Sequence, residues 1–281
     1  MLGIIGGTGL YALDGLETVG DHDIDTPFGK PSAAIREARF GRHTLFFLPR
    51  HGPGHEFLPH EVNYRANIYA LKVLGVRQIL GVSAVGSLRE DMPPGHFCVP
   101  SQYIDLVKYP RHKTFLGGGL SAHISTAEPV CRALTRWVAE AAKDMGLALH
   151  TGKTYACVDG PRLGTRAESF MLRTLGADLV GMTNVPEVFL AREAQMSYAT
   201  LCIVTDYDCW RDDASEHVTI AAIMERFGES LKQAKALVSK CLEGALPGVD
   251  EEYRRALKGA LMVKPESLSE DKKVLLEVLL R

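Results

Sequence analysis

Two aspartates lie two positions apart just after an apolar, β-branched stretch of this chain. The stretch covers residues 201–204, and the carboxylates belong to Asp206 and Asp208. Side chains two apart on an extended segment share one face, and α/β sheets bind their ligands beyond the carboxyl ends of the strands. The segment therefore predicts a ligand site with two acidic groups. The alternative is an exposed corner closed by an Asx turn.

A glycine-rich turn follows the first apolar run. Residues 3–10 have the sequence GIIGGTGL, in which backbone N–H groups can approach an anion closely and Thr8 adds a hydroxyl. Gly7 and Gly9 match the dinucleotide fingerprint G-x-G-x-x-G, but Ala12 occupies its third glycine position and no helical pattern follows. The turn therefore predicts a phosphate cradle, with a glycine turn that binds nothing as the alternative.

Three further apolar runs end in groups that can bind an anion. A guanidinium fork beside an imidazole suits an oxyanion, and a helix N-terminus favours negative charge. Each group alone is more often a surface residue or a plain N-cap. Together with the glycine-rich turn they predict one anion site at the ends of several strands. The groups are Arg50 and His51 after residues 45–48, Ser83 and Ala84 after residues 80–82, and Thr183 after residues 179–182.

Short apolar runs alternate with longer amphipathic stretches along the chain. The runs are too apolar to have a solvent face, and the stretches begin and end at helix-boundary residues. This alternation predicts an α/β fold with a central sheet and helices on both faces. Predicted strands cover residues 2–5, 44–48, 78–82, 179–182 and 198–204, and predicted helices cover residues 61–74, 128–145, 187–195, 218–242, 253–262 and 272–280.

Composition narrows the class of protein. The chain has 281 residues, 46% of them hydrophobic and 23% charged, with a formal net charge of −2, so we expect no nucleic-acid binding. No apolar run reaches the ~18 residues of a membrane span, and we expect neither export nor a membrane anchor. The six cysteines are scattered without C-x-x-C or zinc spacing, which indicates reduced thiols of a cytoplasmic protein.

Motifs spread over most of the chain resemble those of the trimeric purine nucleoside phosphorylases, above all the members that cleave 5′-methylthioadenosine. The match runs in order from residue 3 to about 242. It implies a mixed sheet forming a distorted barrel flanked by helices, with residues 1–248 as the catalytic domain and residues 249–281 as a helical extension packed on it. The motifs are IIGGTG at 4–9, RHG at 50–52, VNYRAN at 62–67, GSLRE at 86–90, GPR at 160–162, RAES at 166–169, MTNVPE at 182–187 and TDYDCW at 205–210.

The resemblance assigns contacts to the residues at the strand ends. Relatives often carry threonine where this chain has Ser83 and phenylalanine where it has Leu163, so the phosphate hydroxyl is kept and an aromatic partner of the base is lost. Gly164 matches a position where relatives place a glutamate or a serine. The implied contacts are phosphate with Thr8, Arg50, His51, Ser83, Ala84 and Thr183, ribose with Met182, and the purine with Asp206, Asp208 and Leu163.

The 5′ end of the nucleoside is expected to meet apolar side chains. Aligning residues 217–224 by their apolar spacing places Ile220, with Ile223 on the same helical side, where the family's 5′-hydroxyl enzymes have a histidine. The resemblance also implies that His123 reaches a neighbouring subunit's site in a homotrimer or a dimer of trimers. Periodicity alone favours core roles for the two isoleucines, and a different register would bring His217 to the site instead. His123 alone is more often a surface histidine.

The implied reaction is phosphate-dependent cleavage of 5′-methylthioadenosine to adenine and 5-methylthioribose 1-phosphate. The sugar should pass through a cationic state beside the bound phosphate, which is electrostatic stabilisation, while Asp206 supplies the proton that the leaving base needs. Phosphate is a co-substrate, and we expect no cofactor and no metal.

Three alternatives stay open at this stage. A 6-oxopurine or broad-specificity nucleoside phosphorylase would share most of the motifs and differ in its use of Asp206. A dinucleotide-binding oxidoreductase would explain the glycine-rich start, although the third glycine is missing. A purine-binding protein without catalysis would carry the same contacts.

Overall fold

The computed structural model describes residues 1–7, 9, 13, 15–211 and 220–281, and gives only the backbone of residues 220–227. Seven helices are described: α1 Tyr64–Val73, α2 Arg132–Asp144, α3 Arg166–Thr174, α4 Asn184–Glu193, α5 Ile220–Glu243, α6 Glu251–Arg254 and α7 Glu270–Leu280. The strands are β1 Leu2–Gly6, β2 Leu16–His22, β3 Ile35–Phe40, β4 His43–Pro49, β5 Gln78–Ser87, β6 Phe97–Val99, β7 Gln102–Asp105, β8 Leu149–Thr151, β9 Thr154–Cys157, β10 Leu179–Gly181 and β11 Ser197–Asp206.

These strands form one mixed sheet that branches at β5. The main path runs β2-β3-β4-β1-β5-β10-β9-β7, while β11 pairs with β5 and β6, and β6 pairs with β8. Along its first half β5 lies parallel to β1, over almost its whole length it lies parallel to β11, and at its end it pairs antiparallel with β10. The predicted α/β fold with a mixed sheet flanked by helices is confirmed.

Alternating side chains of the central strands face two separate hydrophobic clusters. Leu201 and Ile203 of β11 pack with residues of α2 and α5, whereas Cys202 and Val204 pack with residues of α1, α4 and α7. Both faces of the sheet are therefore covered, which explains why these strands are apolar along most of their length.

Several predicted boundaries differ from the structure. The apolar strands and most helices are confirmed in place, but β5 and β11 run further than predicted. The helix predicted over residues 253–262 is wrong, because α6 ends at Arg254 and Gly259 has a positive φ of 74°. The C-terminal helix α7 buries Leu276 and Leu279 in the cluster that α1 also joins.

Five of the six cysteines are free and buried, and Cys209 is partly exposed. No helix among the described residues is long and apolar enough to cross a membrane.

Candidate active site

Several of the predicted site residues lie together, although Ser83 and Ala84 lie within β5 and not after a strand, because β5 continues to Ser87. Arg50 follows β4 directly, and its Nη1 donates to the carbonyl of Val82 in β5 (3.1 Å). The next residue of β5, Ser83, shares a hydrogen bond with Thr183, the N-cap of α4 (3.2 Å). Ala84 is the one exposed position in the otherwise buried strand β5, so the sheet is open to a ligand at this point.

The guanidinium of Arg50 is held by a buried carboxylate. Its Nε and Nη2 donate to the two oxygens of Glu187 in α4 at 2.7 and 2.8 Å, and the side chains are 3% and 1% exposed. Burial alone would lower the pKa of Arg50, but the Glu187 carboxylate raises it above its usual value. The positive charge of Arg50 is therefore matched by Glu187 before any anion binds.

His51 lies beside this pair with its ring fixed. Its Nδ1 is 2.7 Å from the carbonyl of Phe57, and Phe57 N donates back to the carbonyl of His51, which closes the loop between them. Burial, together with the charge of Arg50, lowers the pKa of His51 to about 4. The ring is therefore neutral at physiological pH.

Contrary to what their spacing predicts, the two aspartates do not continue one extended strand. The register between β5 and β11 shifts between Val204 and Asp206, and Asp208 follows in a turn with a φ of 54°. Asp206 Oδ1 accepts from Asp208 N (2.7 Å) and Oδ2 accepts from Thr205 Oγ1 (2.6 Å). The first of these bonds is an Asx turn, so the alternative proposed for this corner is also present.

A glycine makes room for both aspartates. A Cβ on Gly86 of β5 would lie 2.9 Å from Asp206 Oδ1, closer than real Cβ atoms approach, and 3.3 Å from Asp208 Cβ. Asp206 is 8% exposed, and burial raises the pKa of Asp208. The absent side chain at position 86 thus allows two carboxylates to meet at one strand end.

The loop between β9 and α3 covers the same corner. Leu163 is 38% exposed there, and Cys209 Sγ contacts the carbonyl of Gly164 (3.5 Å). A Cβ on Gly164 would lie 3.9 Å from the Asp208 carboxylate. Gly160 of this loop packs against the Met182 side chain so closely that a Cβ there would overlap it. The loop that carries Leu163 therefore contacts both the Asp208 turn and the Met182 side chain.

Other predicted residues are not joined to this cluster. His123 is exposed, and its backbone N–H donates to the carbonyl of Ala260 (3.1 Å). Among the described residues no contact links His123 to the strand ends. Thr8 lies outside the described residues, and so do the side chains of Ile220 and Ile223.

Two residues of the cluster carried no predicted role. In the motif MTNVPE, Glu187 was predicted only to begin a helix. A buried carboxylate is costly without a cation, so Glu187 needs the partner that Arg50 provides. Arg111 is buried, and its guanidinium donates to the carbonyls of Met182 (2.8 Å), Val185 (2.7 Å) and Asp159 (3.0 Å). It therefore fixes the segment that carries Met182 and Thr183. No sequence signal marks Arg111, because most of its hydrogen-bond partners are backbone carbonyls.

This fold and site fit a known class of enzyme. The model of the phosphorylase superfamily matches residues 1–244, and the chain belongs to this family. The oxidoreductase interpretation is therefore wrong.

Particular relatives are similar over almost the whole chain. The S-methyl-5′-thioadenosine phosphorylase of Geobacter sulfurreducens is 45% identical over 85% of this chain and 83% of its own length. The protein of that name from Gloeobacter violaceus is 42% identical over 99% and 94%. The resemblance recognised in the motifs is confirmed.

Solved structures of two such enzymes are also similar to this chain over most of its length. A methylthioadenosine phosphorylase from an antarctic soil metagenomic library has a TM-score of 0.92 and 40% identity, covering 100% of this chain and 98% of its own. The methylthioadenosine phosphorylase of Schistosoma mansoni, solved with adenine, has a TM-score of 0.86 and 36% identity, covering 93% and 98%.

Proposed function

We propose that this chain cleaves 5′-methylthioadenosine with inorganic phosphate to give adenine and 5-methylthioribose 1-phosphate. It is then a pentosyltransferase of the purine nucleoside phosphorylase type. The observation that carries the proposal is the cluster in which Ser83, an anion donor near Arg50, lies on β5 beside the strand β11 that leads to the paired carboxylates, in a chain whose relatives carry this activity in their names.

The anion donors are proposed to bind phosphate. The proposed donors are Ser83 and Thr183, which share a hydrogen bond, the backbone at the exposed Ala84, and Arg50 and His51. Thr8 is included because of its place in the glycine-rich motif. A phosphate held there would attack the anomeric carbon and stabilise the positive charge that develops on the sugar as the base leaves. The carbon–nitrogen bond breaks and a carbon–oxygen bond to phosphate forms.

Asp206 is proposed as the group that supplies a proton to the leaving adenine. Its position at the end of β11, one strand from the phosphate donors, suits contact with the imidazole ring of the base. A carboxylate in this corner also accepts from the exocyclic amine of adenine, and Asp208 adds a second acceptor. Leu163 would lie against the ring face and Met182 against the ribose.

We also infer the oligomeric state, the cellular location and the role of the C-terminal residues. We propose a cytoplasmic homotrimer, or a dimer of trimers, in which His123 serves a neighbouring subunit and Ile220 and Ile223 receive the methylthio group. The exposure of His123 supports this arrangement. Phosphate is the co-substrate, with no cofactor and no metal. Residues 249–281 are proposed as an extension of the single catalytic domain, supported by the burial of α7 residues in the main core.

A substrate panel tests the activity. Methylthioadenosine, methylthioinosine, adenosine and inosine are compared with and without phosphate, and the products are identified. Adenine release should require phosphate, and methylthioadenosine should exceed adenosine by about 10- to 200-fold in kcat/KM, because an apolar group is worth about 1 to 3 kcal/mol in a fitted pocket. Equal release without phosphate would indicate a hydrolase, and equal use of methylthioinosine would favour the 6-oxopurine alternative.

A further inference from the structure

The hydrogen bond of His51 fixes which of its ring nitrogens carries a proton. Nδ1 is 2.7 Å from the carbonyl oxygen of Phe57. A carbonyl oxygen only accepts, so Nδ1 must be the donor. In a neutral imidazole the other nitrogen, Nε2, then has a lone pair and no hydrogen. His51 can therefore accept a hydrogen bond at Nε2 but cannot donate one there.

The groups around His51 keep the ring neutral. Burial lowers its pKa, and the cations Arg50 and Arg111 and the stacked ring of His55 act in the same direction. The hydrogen bond to Phe57 opposes them without reversing the shift.

Arg50 has no surplus charge to offer an anion. Glu187 binds it through two hydrogen bonds, and Tyr198 donates to the same carboxylate (2.8 Å). Tyr64 and Tyr198 also face this pair, and burial raises the pKa of both, so both are neutral. Selection among oxyanions must then rest on hydrogen bonding more than on net charge.

We propose that this cradle selects an oxyanion that carries its own proton, which it donates to Nε2 of His51. The proposal rests on the function proposed above. Both ionic forms of phosphate present near neutral pH have such a hydroxyl, and so does arsenate, whereas sulfate has none. With sulfate, a buried lone pair would face another lone pair, and a lost buried hydrogen bond of this kind corresponds to about 10- to 100-fold in affinity. His51 would also orient a phosphate oxygen without a proton toward the sugar.

The wild-type enzyme provides the first test. Binding of phosphate, arsenate and sulfate is measured by titration calorimetry at one pH and ionic strength, and sulfate is titrated as an inhibitor of adenine release. Phosphate and arsenate should bind similarly, and sulfate about 10- to 100-fold more weakly. Equal affinities for sulfate and phosphate overturn the inference, even if adenine release depends on phosphate. Absence of any phosphate-dependent release contradicts the proposed function instead.

A matched pair of variants provides the second test. The amide of His51→Gln can donate to an oxygen without a proton, so the preference for phosphate over sulfate should shrink at least about 5-fold. His55→Gln changes the stacked neighbour, whose ring lies 4.6 Å from that of His51, and should keep the wild-type preference. A His51→Gln enzyme with the wild-type preference, or equal changes in both variants, overturns the inference. If His51→Gln does not fold, the wild-type comparison decides alone.

Discussion

At the residue scale, the ion pair of Arg50 and Glu187 determines which properties a substitution of the arginine changes. If the guanidinium contacted only phosphate, its removal would weaken phosphate binding and leave the stability of the chain unchanged. Here its removal would also leave a carboxylate 1% exposed without its cation. The stability of the chain and its phosphate affinity are therefore coupled at this pair.

Arg50→Ala should consequently affect both properties. We expect KM for phosphate to rise, and the free energy of unfolding to fall by about 3 to 5 kcal/mol, because a buried ion pair loses one partner. Steady-state kinetics and urea unfolding measure the two effects. Arg36→Ala is the control, since Arg36 pairs with Asp21 at the surface and should change neither quantity appreciably. A variant with wild-type stability would contradict the coupling.

The variant Asp206→Asn tests how the site recognises the purine base. The amide accepts less strongly from an exocyclic amine and can donate to the oxygen of a 6-oxopurine, so the ratio of methylthioinosine to methylthioadenosine cleavage should rise while both rates fall. Sites built on a buried hydrogen bond discriminate by up to about 10⁴-fold. Competition between the two substrates measures the ratio, and an unchanged ratio would remove Asp206 from base recognition.

Residue types alone indicated much of this site. Carboxylates, a guanidinium and hydroxyls after apolar runs pointed to the strand ends, and the structure places Arg50 and Asp206 at such ends, whereas Ser83 lies within β5. The role of Glu187 could not be predicted in this way, because its partner lies 137 positions away in the chain. Nor could the hydrogen bond that fixes the ring of His51, since it depends on the path of a loop.

At the scale of elements, α3 and the loop before it illustrate a local signal. Thr165 and Glu168 form a capping box: Thr165 Oγ1 accepts from Glu168 N (3.2 Å), and Glu168 accepts from Thr165 N (2.7 Å). The S/T-x-x-E pattern predicts such a helix start, yet α3 was not among the predicted elements. The mostly exposed strand β2 was also missed, since its side chains lack an apolar run. Apolar strands were predictable because burial on both faces leaves a continuous pattern.

Thr165→Ala tests whether this cap positions the loop. Loss of an N-cap is expected to lower the free energy of unfolding by about 1 kcal/mol, and the loop with Leu163 should become less ordered. KM for the nucleoside should then increase more than kcat decreases. Thr174→Ala, at the other end of α3, is the matched control for kinetics. An unchanged KM would separate the cap from the site.

At the scale of the whole molecule, a buried lysine connects two of the helices that flank one face of the sheet. Lys72 in α1 is 1% exposed, and its Nζ donates to the carbonyl of Ala194 at the end of α4 (2.6 Å). Burial, with Arg77 and Arg254, lowers its pKa to about 7. A lysine in the unfolded chain keeps its proton to about pH 10.4.

Stability should therefore rise with pH through this window. Between pH 7 and pH 9 the unfolded chain binds more protons at Lys72 than the folded one, so alkalisation favours folding, by about 2 kcal/mol from this group. Chemical unfolding at several pH values, compared with Lys72→Met, isolates the contribution. The variant should lose the rise, whereas Lys240→Met at the surface should keep it. A rise of equal size in Lys72→Met would assign it to other groups.

The proposed trimer makes a prediction about mixed assemblies. If His123 serves a neighbouring site, Asp206→Asn and His123→Ala subunits should complement each other when co-expressed, because a His123→Ala subunit keeps its own Asp206 and receives His123 from its neighbour. Activity above that of the two separately purified variants is expected. If the co-expressed variants show only the summed activity of the two variants measured separately, each chain uses its own His123.

The partial exposure of Cys209 gives the chain a natural attachment point for a spectroscopic reporter. All six cysteines lie in the described part of the chain, and the other five are buried. Burial and Asp208 raise the pKa of the Cys209 thiol to about 11, so maleimide coupling would be slow but selective for this position. A fluorophore there would lie against the loop of Gly164, and its emission would report on movements of this loop without a change in the sequence.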